Sequence, residues 1–174
     1  MAKIKVFSHF EFDELCNSNG WCDDNVEALT DKAFISICTT KDVCEHHLEE
    51  EDVHWFKRNH PNVINIDFDD VEFDINFGEE DGFIAKAMTE EQGKEIYDFV
   101  ERNLGRDIYV HCRAGASRSQ GVFRAVCAIW PTIYDEKENY NDSNPCLTPN
   151  MCVVRRIKRA AYQKLDENDK QRSK

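Results

Sequence analysis

Three short stretches of the chain carry the hydrophobic pattern of strands. Ala33 to Cys38 is almost continuously apolar, and Asn62 to Phe68 alternates Ile64, Ile66 and Phe68 against Val63, Asn65 and Asp67. The third stretch, Asp107 to Cys112, is short and mostly apolar, as expected of a central strand covered on both faces. Between the second and third stretches the period lengthens to that of a helix. Thr89 reads as its N-cap, with Glu90 and Glu91 in the first turn. Ile96, Phe99, Val100 and Leu104 form one apolar face, and Gly105 suits the stop. Strand, helix and strand in succession make a crossover unit, which predicts parallel pairing of the two strands.

Beyond the third strand, Ser117 to Trp130 is helical in pattern, with Val122, Val126 and Ile129 on one stripe and Pro131 as terminator. Ile133 to Pro149 is polar and proline-bearing, and reads as a surface loop. A last helix is expected from about Asn150, with Val153, Val154, Ile157 and Ala161 inward. The chain shows no internal repeat or low-complexity tract. This order of elements predicts an α/β class, a mostly parallel central sheet flanked by helices on both faces, and one domain over residues 1–174.

Composition narrows the function classes. Hydrophobic residues make up 41% of the chain and aromatics 11%, enough for a folded core. No segment approaches the roughly 20 apolar residues of a membrane span, and the N-terminus lacks the apolar run of a secretory signal, so a cytoplasmic monomer is expected. The net charge of -12, with eight acidic residues between Asp67 and Asp81, argues against nucleic acid or anionic membrane as partner. The basic run at 155–159 reads as a solvated helix face. Eight cysteines occur, none as a Cys-x-x-Cys pair. Cys38, Cys44, His46 and His47 fit no familiar zinc spacing, so no metal or other cofactor is expected.

The third strand runs directly into the sequence His111-Cys112-Arg113-Ala114-Gly115-Ala116-Ser117-Arg118-Ser119. A Cys and an Arg five residues apart recur by chance, so context has to carry the reading. Here a buried strand, small loop residues and a helix N-terminus coincide. Such a loop, residues 113–118, can turn several N–H groups inward while the helix end adds about half a positive charge, a cradle for phosphate. The same field favours thiolate at Cys112, and thiolate is the nucleophile. Arg118 offers a two-pronged fork to two phosphate oxygens, which Lys cannot. Ser119 can donate to the sulfur and ease its departure as thiolate.

This segment resembles the His-Cys-x5-Arg-Ser/Thr signature of the cysteine-dependent protein tyrosine and dual-specificity phosphatases. The match covers His111, Cys112, Gly115, Arg118 and Ser119. Looser similarity extends over roughly Ala33 to Ala161 and leaves out residues 1–32. The resemblance implies the family's fold and a metal-independent two-step hydrolysis, through a cysteinyl phosphate, of phosphotyrosine in proteins, with phosphoserine and phosphothreonine as further substrates of the dual-specificity members. Rivals on the same fold are phosphoinositide and RNA 5'-phosphatases. A phosphate-binding module without turnover is the rival from another class.

The resemblance also implies a general acid, an aspartate on a loop after an earlier strand. Asp69, Asp70, Asp74 and Asp81 compete for it. Continuing the alternation of Ile64, Ile66 and Phe68 sends Asp70 to their side and Asp69 outward, which selects Asp70. His111, pointing the opposite way from Cys112, is a supporting residue. Cys38 ends its strand as a second cysteine does in some relatives, which makes it a candidate redox partner of Cys112. With exposed charges screened beyond about 8 Å, the local loop outweighs the acidic surface, whose surplus predicts a preference for substrates flanked by basic residues.

Overall fold

The computed structural model describes residues 2–46, 53–78, 82–135 and 148–172. Its centre is a four-stranded parallel sheet of order β1-β6-β2-β3, built from β1 (Ile4–Ser8), β2 (Lys32–Cys38), β3 (Val63–Asp67) and β6 (Asp107–Cys112). A two-stranded antiparallel ribbon pairs β4 (Ile75–Asn76) with β5 (Ile84–Ala85). The helices are α1 (His9–Asn19), α2 (Lys41–His46), α3 (Glu90–Arg102), α4 (Arg118–Ile129) and α5 (Met151–Arg172). The α/β class and the parallel central sheet therefore stand. The crossover pair is corrected: β3 and β6 run parallel in one sheet, but β2 lies between them.

Alternation along the strands splits the core into two layers. Ile35 and Ile37 of β2, Ile64 and Ile66 of β3, and Ile108 and Val110 of β6 face one layer, together with α3, α4 and α5 residues such as Ile96, Val122 and Ile157. Phe34, Val63 and Tyr109 face the other, against Phe12 and Cys16 of α1 and against Phe56. Helices thus cover both faces. Thr89 caps α3 through a reciprocal capping box with Gln92. Leu104 lies past the end of α3 and is exposed, and Tyr134, expected on a surface loop, is fully buried with its hydroxyl on the Arg106 carbonyl. Most of that expected loop, 136–147, lies outside the described residues, as do His47 and Asp81. No helix among the described residues is long and apolar enough to cross a membrane.

The second layer contains a buried ionic tie. The His60 side chain is 1% exposed, with Nδ1 2.8 Å from Glu27 Oε1 and Nε2 2.9 Å from Asp23 Oδ1. Burial alone would lower its pKa, but the two carboxylates outweigh burial and hold it above the usual histidine value. The folded state then binds the proton more tightly than the unfolded chain. The associated stability is complete below about pH 6.5 and is lost as pH rises through the folded value. Thermal unfolding should therefore show a midpoint that falls as the pH rises above about 6.5, with a flatter profile for His60→Gln.

Candidate active site

β6 delivers Cys112 to the end of the sheet, and α4 starts at Arg118, so 113–117 must reverse within five residues. Gly115 makes the turn with φ +68°, and its missing Cβ matters: a methyl there would sit 2.7 Å from the Ser8 nitrogen and 2.8 Å from the Phe7 carbonyl carbon. The loop rests on the junction of β1 and α1. A backbone bond from His9 N–H to the Arg113 carbonyl (3.0 Å) and a side-chain bond from Gln120 Nε2 to the Gly115 carbonyl (3.2 Å) hold its curvature. Ser117 is the N-cap of α4, yet its side chain makes no cap bond. The first intrahelical bond there is Gly121 N–H to Ser117 O, which leaves the amides of Arg118, Ser119 and Gln120 without a partner among the described residues. That is an anion site in form.

Into this cradle project three groups from the sequence reading. The Cys112 sulfur is buried and lies 3.1 Å from Ser119 Oγ. Arg118 is 4% exposed; Nη1 donates to the Phe68 carbonyl at 2.8 Å and Nη2 to Thr39 Oγ1 at 3.3 Å. Its Nε is buried and has no partner among the described residues. A guanidinium nitrogen left dry and unpaired is costly, and an anion oxygen in the cleft would satisfy it. Arg118 and Cys112 line one cleft of about 370 Å³ with Arg113, Ala114, Ala116, Ser117 and Asp70. The opposite wall is apolar: Val43, Val71, Ala85, and the rings of Phe77 and Phe83 stacked 4.6 Å apart across the β4–β5 ribbon.

Asp69 and Asp70 both line the cleft and differ in burial and in their hydrogen bonds. Asp70 is exposed on the cleft, and its Oδ1 accepts from Ser117 Oγ at 2.7 Å and from Asn150 Nδ2 at 2.9 Å. Asp74 accepts from the Ala87 amide, a bond that spans the ribbon's base. Asp69 corrects the alternation argument, for it is 3% exposed rather than outward. β3 ends at Asp67, and Asp69 turns in to accept from Thr40 N–H, Thr40 Oγ1 and the Lys86 amide. Alternation chose Asp70 by a rule that no longer applies there, and the hydrogen bonds place it at the cleft on other grounds.

No family model, curated protein or solved structure matches the chain. The functional reading therefore rests on the residues themselves. Asn150 is the site residue that sequence reasoning missed. Its Oδ1 caps α5 by accepting from the Cys152 and Val153 amides while its Nδ2 holds Asp70, and its own N–H donates to the Ser117 carbonyl. One residue joins the Asp70 loop, the 113–117 loop and α5. Its helix-start position was readable; the second bond is a product of packing.

His111 and Cys38 occupy the far face of the sheet. Ser36 pairs with His111 across β2 and β6, and Ser36 Oγ lies 2.7 Å from His111 Nε2. The Cys38 sulfur sits on that same face, 3.2 Å from His54 Nδ1, whereas Cys112 belongs to the opposite layer with Ile37. By strand alternation the two thiols sit on opposite faces of the sheet. All seven described cysteines are free, and burial, with Asp13 adding to it, pushes the Cys16 thiol up to about 12. Cys38, His54 and Asp67 are the described residues grouped as metal ligands would be. The imidazole, however, turns Nδ1 to the sulfur and Nε2 to Asp67, so its nitrogens diverge as in a hydrogen-bond relay.

Proposed function

We propose that this chain is a phosphomonoester hydrolase of the cysteinyl-phosphate type, acting on phosphotyrosine in proteins. The observation that carries the proposal is the buried, half-paired guanidinium of Arg118 lining the same cleft as the Cys112 sulfur. The apolar wall of Phe77, Phe83 and Val71 favours an aryl ester, which stacks on rings that a small alkyl phosphate would leave wet.

In the first step the Cys112 thiolate attacks phosphorus, the phosphorus–oxygen ester bond breaks, and the departing oxygen takes the proton of Asp70. Arg118 and the first-turn amides of α4 hold the equatorial oxygens as charge spreads onto them. In the second step water attacks phosphorus and gives a proton to Asp70. The phosphorus–sulfur bond breaks, inorganic phosphate leaves, and Ser119 donates to the thiolate that re-forms.

The test is release of a coloured phenol from an aryl phosphate with chelator present, alongside phosphotyrosyl and phosphoseryl peptides. Turnover with a preference for the aryl substrates is expected; no release above buffer would sink the reading. Arg118→Lys keeps the charge but loses the fork, and kcat/KM should fall by about 10² to 10³.

A further inference from the structure

Beneath the phosphate loop, on the face away from the cleft, four polar side chains form an unbroken line. Asp67 Oδ1 is 2.7 Å from His54 Nε2, His54 Nδ1 is 2.6 Å from Ser36 Oγ, and Ser36 Oγ is 2.7 Å from His111 Nε2. The line begins at the surface, where the Asp67 side chain is 57% exposed, and ends at fully buried His111, the residue before Cys112. We propose that Asp67, His54 and Ser36 are positioning residues that set the tautomer and the orientation of His111, and through it the aim of Cys112.

The direction of the line follows from what each group can do. A carboxylate only accepts, so His54 Nε2–H donates to Asp67. In the neutral ring Nδ1 is then an acceptor, and the Ser36 hydroxyl gives it its single hydrogen. The Cys38 thiol, 3.2 Å from the same nitrogen, is a weaker donor to the same acceptor. Ser36 Oγ is left to accept, so His111 carries its proton on Nε2. Each bond fixes the sense of the next, and Asp67 fixes the first.

The ring so oriented is also held from other sides. It stacks on Phe12 at 4.3 Å and meets His9 edge-on at 5.4 Å, while the His9 backbone N–H bonds the Arg113 carbonyl of the loop. His111 and Cys112 share a peptide bond and point to opposite faces, so a rotation of one strand residue tilts the other. A misplacement of about 1 Å at a reacting group is enough to cost catalysis heavily.

Asp67→Asn probes this with little risk to folding, because the residue is largely in solvent. An amide both donates and accepts, and no longer dictates which His54 nitrogen holds the proton. Two readouts apply. In ¹⁵N spectra of the ring nitrogens, His111 should show an Nε2-protonated pattern in the wild-type protein and averaged shifts in Asp67→Asn and in Ser36→Ala. In aryl phosphate turnover, kcat should fall about tenfold with KM unchanged, the lower end of what supporting partners of a site supply. Asp67→Glu should recover most of it, and the double variant should lose no more than either single one.

The kinetic arm rests on the proposed hydrolase activity, and the nitrogen shifts do not. A wild-type protein without turnover would overturn the activity while the spectra still judged the relay. His111 shifts identical in Asp67→Asn and wild type would overturn the relay itself. Altered shifts with unchanged kcat would overturn its role in aiming Cys112.

Discussion

Cys112→Ser is expected to lose aryl phosphate hydrolysis by about 10⁵ or more, since the nucleophile itself is gone. A serine hydroxyl in that place needs a base to activate it, and the hydrogen-bond partner of the sulfur is another hydroxyl, that of Ser119. The cradle survives the change: Arg118 keeps its bonds to Phe68 and Thr39, and Gly115 keeps its seat on β1. Affinity for a peptide carrying a non-hydrolysable phosphonate in place of the phosphotyrosine, measured by calorimetry, should therefore stay within a few-fold of the wild type. Retention of more than about a hundredth of the rate would rule out sulfur as the attacking atom.

Asp70→Asn should lower kcat by about 10² to 10⁴ for esters whose leaving alkoxide or phenoxide needs a proton. For an ester of a strongly acidic phenol the loss should be much smaller, because that oxygen departs as the anion. This dependence on the leaving group separates proton donation from support of the loop, for a distorted loop would slow every ester alike. Asp69→Asn serves as the contrast. Asp69 accepts three hydrogen bonds from Thr40 and Lys86 in a buried setting, so its change should cost stability of about 1–3 kcal/mol. A uniform loss across leaving groups for Asp70→Asn would reassign the acid.

The parts of this fold that were legible in the sequence are those where local pattern and burial agree. β2, β3 and β6 are nearly as read, because their apolar residues are buried from both sides. The N-cap at Thr89 and the glycine after α3 were equally plain. β1 and α1 were not read. Within β1 only Ile4 is fully buried, and in α1 Phe10 is 76% exposed while Phe12 and Cys16 face the core, so neither shows one clean stripe. A signal was nonetheless present: Ser8 and Glu11 form a reciprocal cap, spaced as the motif requires.

At the site, Cys112, Arg118 and Ser119 were legible because one turn brings them together. What sequence could not show was contact made across the fold. Asn150 reaches Asp70 from 80 positions away, and His54 meets Ser36 and Asp67 from a loop with no periodicity of its own. The fault over Asp69 was physical rather than statistical, since alternation ends where the ladder ends.

The seating of Gly115 on the Phe7–Ser8 backbone carries a practical consequence for anyone trimming this protein. The opening strand, β1, is the anvil on which the turn between Cys112 and Arg118 is shaped. A fragment beginning at β2 would retain every reactive side chain and still lack the surface that bends them into register.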